Sequence, residues 1–117
     1  MNRTYQQTYY LPGALTADLD IRFIAHTNIA LLHVSAGALN DTPAKLSIGN
    51  GDDPHAYLNA ASIGALGAPV QCHRTDFVNE QFPRIQKGES VILYLDHDGS
   101  AGTPAEDVTL VLTFAEG

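Results

Sequence analysis

The feature that most constrains this chain is a two-residue period. From Val108 to Phe114, the residues Val108, Leu110, Leu112 and Phe114 share one parity, and Thr109, Val111 and Thr113 share the other. Side chains of an extended chain point to opposite faces in turn, so this run reads as a half-buried strand of an antiparallel sheet. The same period returns at Leu19, Ile21, Phe23 and Ala25 against Asp20, Arg22 and Ile24, and again at Ala44, Leu46 and Ile48 against Lys45 and Ser47. Apolar residues at that period cannot form the stripe a helix buries, and they call for sheets packed face to face.

The intervening segments follow the same logic. Ser90 to Leu95 is a second β-rich run, and a polar link from Asp96 to Asp107 joins it to the final strand. The pattern predicts a hairpin with a long connection. Ile29 to Ala36 is apolar on both parities, which predicts a central strand covered on both sides. The segment from His55 to Ile63 admits two readings. Tyr57, Ala60, Ala61 and Ile63 nearly fit a helical face behind Pro54, with Asp52 or Asp53 as a cap, and a short strand fits as well. Val70 to His73 is a short strand, and Asp76 to Pro83 places Phe77 and Phe82 in a polar setting where both should be exposed. Gly49 to Pro54 is the strongest turn cluster. Seven or eight short strands separated by turns give an all-β fold, an antiparallel β-sandwich or jelly-roll-like single domain. Ahead of it, Tyr5 and Tyr9 share one face and Tyr10 takes the other, with Pro12-Gly13 following. Residues 1–11 therefore read as an N-terminal arm or edge strand, and residues 12–117 as the sandwich domain.

Composition narrows the function. The 117 residues suit one domain with its own core. Thirteen acidic residues against six Lys and Arg give a net charge of −7. That balance argues against nucleic acid, whose phosphates need clustered cations, and against anionic membrane surfaces. No apolar run approaches the ~18 residues of a membrane span, and the polar, aromatic N-terminus lacks the apolar core of a signal peptide. Cys72 is the single cysteine, which leaves no internal disulfide and points to cytoplasmic assembly.

No catalytic pattern stands out. The serines lack the Gly-x-Ser-x-Gly elbow, and Gly49-Asn50-Gly51 lacks the lysine and third glycine of a phosphate loop. The five histidines are scattered without the close ligand pairs of a zinc site, and no tightly held transition metal or other cofactor is expected. His33, inside an apolar run, reads as a hydrogen-bonded core or interface residue. The one candidate for a metal is Ca²⁺ at the polar link, where Asp96, Asp98, Glu106 and Asp107 supply hard oxygen ligands, although a solvated turn explains the same residues.

Several segments together resemble a known class. These are Ile21-Arg-Phe-Ile-Ala25, Ala44-Lys-Leu-Ser-Ile-Gly-Asn-Gly-Asp-Asp-Pro-His-Ala-Tyr-Leu58, Asp76-Phe-Val78, Gln81-Phe-Pro83 and the run from Asp98 to Phe114. In their order they resemble the head decoration, or cement, proteins of tailed bacteriophages, and the resemblance covers most of the chain. It implies a β-sandwich, a non-enzymatic structural role on the outside of the virion, the major capsid protein as partner, and homotrimers at local threefold axes. It also implies synthesis in the host cytoplasm. It assigns no individual residue. The residues themselves add Tyr5, Tyr9 and Tyr10 as aromatic anchors for a partner interface. The alternative is a ligand- or carbohydrate-binding module of a phage fibre, which would show coplanar exposed tyrosines beside a metal loop.

Overall fold

The computed structural model describes residues 3–40, 42–63, 68–97 and 104–116. They form β1 (Thr4–Ala14), β2 (Leu19–Ile24), β3 (Ile29–Gly37), β4 (Lys45–Gly49), β5 (Leu58–Ser62), β6 (Val70–Cys72), β7 (Arg84–Ile85), β8 (Ser90–Asp96) and β9 (Glu106–Glu116). Two single 3₁₀ turns, Arg74–Asp76 and Val78–Glu80, lie between β6 and β7. One sheet runs β1-β9-β3-β6 with β7 also on β3, the other runs β2-β8-β4-β5, and all pairings are antiparallel.

The pairing is nested. The first strand pairs with the last, β2 with β8, β3 with β6 and β7, and β4 with β5. This corrects the expected hairpin of the last two runs. β8 lies between β2 and β4, whereas β9 lies between β1 and β3, so the polar link crosses from one sheet to the other. Turn formers between two strands mark a change of direction, and they do not say which strand the chain meets next.

The core is the space between the sheets. Val108, Leu110, Leu112 and Phe114 are buried, as their alternation required. Val91, Leu93, Leu95, Leu46 and Ile48 are buried on the opposing sheet. Phe23 meets Phe114 edge to face with ring centres 6.0 Å apart, and Leu19 and Ile21 pack against the same cluster as partly buried residues. Aromatic pairs favour such offset or edge-on contact because ring face and edge carry opposite partial charge.

Bulges explain where the simple alternation fails. In β3, Leu31 pairs with Phe114 and His33 with Thr113, so Leu32 is an extra residue. The buried positions change there from Ile29 and Leu31 to Val34 and Ala36. β3 is apolar on both parities because its inward parity reverses at the bulge; it is not covered on both sides. In β1 the register shifts between Leu11 and Ala14, so Pro12-Gly13 kinks the strand without ending it. Gly13 takes a φ of 83° there, a conformation open to glycine, and its N–H donates to Asp107 Oδ1 at 2.9 Å.

Residues 58–62 are a strand, which excludes the helical reading of that segment. Phe77, expected at the surface, is 3% exposed, while Phe82 is exposed. The 3₁₀ turns on either side fold Phe77 inward. The Gly49 cluster is a tight turn: Asn50 Oδ1 accepts from the backbone N–H of both Asp52 and Asp53 at 2.9 Å. A Cβ on Gly49 would stand 2.1 Å from the Asp53 carbonyl oxygen, so only glycine lets this turn lie back on β4.

Candidate functional site

The N-terminal tyrosines divide between two environments. Tyr5 and Tyr9 point toward the second sheet. The Tyr5 ring stacks on Phe114 with centres 5.5 Å apart, and the Tyr9 hydroxyl donates to Gln7 Oε1 at 3.0 Å. Burial raises the pKa of both phenols; Glu116 adds to the effect at Tyr5, and Tyr5 adds to it at Tyr9. Tyr10, on the opposite parity, is 58% exposed on the outer face of the first sheet.

Tyr10 forms one wall of a shallow groove of about 430 Å³, lined also by Ser35, Gly37, Ala38, Leu39, Pro69, Asp107, Thr109 and Val111. Register builds its floor, since Tyr10 and Gly37 both lie opposite Thr109, and Thr8 and Ser35 both lie opposite Val111. Pro69 sits so close that a Cβ on Gly37 would come within 3.2 Å of its Cα, which keeps the floor low. Leu39 is 62% exposed and is held in place by its own N–H, which donates to the Glu106 carbonyl at 2.8 Å. Asn40 fixes the start of β9, donating to the Pro104 carbonyl and accepting from the Glu106 N–H. Two large apolar side chains open to solvent, Tyr10 on β1 and Leu39 just past β3 with its backbone tied to β9, can bury area against a partner at little ordering cost. Leu39 escaped the sequence reading. An apolar residue directly before Asn40, a turn-forming residue type, was its only signal.

The acidic link has a different character. The Asp107 carboxylate is committed to Gly13, and its backbone φ of 50° belongs to the β1–β9 bulge. Asp96 ends β8 across from Lys45, and Glu106 is exposed at the start of β9. Asp98 lies outside the described residues. Among the described residues no group of three or more His, Cys, Asp or Glu gathers around a common point. Next to this link, Asp18 accepts from the His97 N–H at 3.0 Å and from the Tyr94 hydroxyl at 2.9 Å. These bonds, the His97 N–H first, hold the Asp18 carboxyl below its usual value.

Cys72 faces the core at 3% exposure, and burial, with a smaller contribution from Asp76, pushes its thiol up to about 11. A thiol so protonated at neutral pH is a poor nucleophile and a poor metal ligand. No helix among the described residues is long and apolar enough to cross a membrane.

No family model matches the chain, and no curated protein matches it. Among solved structures, the chain is similar to a chain of the cyanophage Pam1 capsid asymmetric unit. It superposes with a TM-score of 0.57 over 99% of this chain and 85% of its own, at 10% identity. At that identity the likeness is one of fold. It extends over both sheets, so the nested two-sheet arrangement as a whole has a counterpart in a phage capsid chain.

Proposed function

We propose that this protein is a non-enzymatic structural component of a bacteriophage virion, a decoration or cement protein that binds the outside of the capsid and stabilises it. The observation that carries this reading is the full-length likeness to a chain of a phage capsid asymmetric unit. The nested pairing supports it. With β1-β9-β3-β6 facing β2-β8-β4-β5, we read the fold as a jelly roll, an architecture common among viral coat proteins. An acidic chain with a net charge of −7 suits a shell exterior remote from packaged nucleic acid. The partner is the major capsid protein, and the protein assembles in the host cytoplasm as a homotrimer over local threefold axes.

Attachment runs through the Tyr10–Leu39 groove and the outer edge of β1. β1 is an eleven-residue edge strand without a single charged side chain from Thr4 to Ala14. Edge strands left without charges or a covering segment are available to a partner's strand. Tyr5 and Tyr9 serve this interface from behind, by holding β1 against the core.

The test uses purified capsids lacking the protein. Added wild-type protein should saturate them and raise the temperature at which they break. Leu39→Asp and Tyr10→Asp should fold normally, yet bind at least ~10-fold more weakly, because each places a charge in the buried centre of an interface. Full occupancy by both variants would remove the groove from the interface. Failure of the wild type to bind any capsid would sink the reading itself. Tyr5 and Tyr9 face inward while Tyr10 faces outward, so the three form no common platform for a sugar, and no specific observation favours the fibre-module alternative.

A further inference from the structure

We propose that His33 and His73 form a surface site for a divalent transition-metal ion of the zinc, nickel or copper class. β3 pairs with β6 so that Val34 lies opposite Cys72, and one step further along that register His33 on β3 comes beside His73, which directly follows β6. Their rings stand with centres 5.1 Å apart at an interplanar angle of 54°. An imidazole bound to zinc holds its nitrogen ~2.0–2.1 Å from the metal, so two imidazoles on one tetrahedral ion have ring centres roughly 5 Å apart. Imidazole nitrogen is a favoured ligand for all three metals.

The backbone makes this pairing. Strict alternation from Leu31, with no bulge at Leu32, would turn His33 inward and Val34 outward. The bulge lets β3 keep Leu31 and Val34 both buried while Leu32 and His33 share the outer face. Bulges often re-aim a side chain beside a functional site. Asp76 Oδ2 accepts from the His73 backbone N–H at 2.9 Å, which holds a carboxylate close to His73, while the Arg74 guanidinium donates to the Glu80 carbonyl at 3.3 Å. His73 is exposed and His33 half-buried, so the pair is open to solvent. Cys72, next to His73 and opposite Val34, points the other way into the core and takes no part. Two protein ligands leave the remaining coordination positions to water, which makes the site weak and exchangeable.

Calorimetric titration of the full chain with NiCl₂, and separately with ZnCl₂, tests the assignment. One ion should bind per chain. Substoichiometric Ni²⁺ should broaden the imidazole proton resonances of His33 and His73 before those of His26, His55 and His97. Binding should be lost in His33→Ala and again in His73→Gln, and kept in His55→Ala. His73 is exposed just past the short edge strand β6, at the start of the 3₁₀ turn Arg74–Asp76, so His73→Gln folds even where a change at the bulge does not. No binding by the wild type, or undiminished binding by His73→Gln, would overturn the proposal.

Discussion

Single residues carry most of the information that survives from sequence to structure. Leu110 is fully buried between the sheets, with Tyr9 and Ala36 as its register partners. Leu110→Asp places an unpaired carboxylate there, a change that costs several kcal/mol or more, comparable with the whole stability of a small domain. We expect no cooperative unfolding transition in that variant by circular dichroism, whereas Thr109→Asp, one residue along on the exposed face, should keep one. Asp18 makes a pH prediction. The His97 N–H and the Tyr94 hydroxyl both bind its ionised form, so its folded pKa lies below the unfolded one. A depressed carboxyl contributes stability that is fully present above its unfolded pKa and is lost as pH falls through the folded value. Asp18→Asn should therefore be less stable than wild type at neutral pH. The gap in denaturant midpoint should close on acidification below about pH 4. A gap that stays constant with pH would show that the carboxylate's charge is not what the two donors recognise.

At the scale of elements, β1 has the largest consequences. The first eleven residues read equally as a free arm or as an edge strand, because tyrosines among polar residues suit both. In the structure β1 pairs with β9 from Thr4↔Ala115 to Leu11↔Val108, and Tyr5 covers Phe114. Removing residues 1–11 would strip this cover and leave β9 with one neighbour. The truncated chain should accordingly lose cooperative folding, or at least ~3 kcal/mol of stability in urea melts, the order of magnitude seen when large aromatic side chains are removed from cores. A truncated protein as stable as the full chain would mean that β1 is an appendage. Bulges are the other feature decided at this scale. The expectation that β3 is covered on both faces failed because alternation counts residues, and a bulge adds one without changing composition. The Phe77 expectation failed for a related reason: two 3₁₀ turns redirect a polar-looking segment, and turns of three residues each are too short to leave a periodic trace.

For the whole molecule, the nesting of strands sets which surfaces exist. Pairing the first strand with the last brings Tyr10 beside Leu39 and Pro69, and pairing β3 with β6 brings His33 beside His73. Neither juxtaposition is visible along the chain, since the members of each pair are far apart in sequence and no short motif links them. The sequence by itself determined that the chain is β-rich, which residues of β2 and β9 face inward, and that Gly49 to Pro54 is a tight turn. These are local properties: side-chain direction alternates within one strand, and Gly, Asn and Pro limit φ and ψ at their own positions. Only the tertiary structure decided which strands pair, that the polar link before β9 joins two sheets, and where the inward parity of β3 reverses. Those outcomes depend on burying the inner faces of both sheets against each other at once, a condition that no single segment contains.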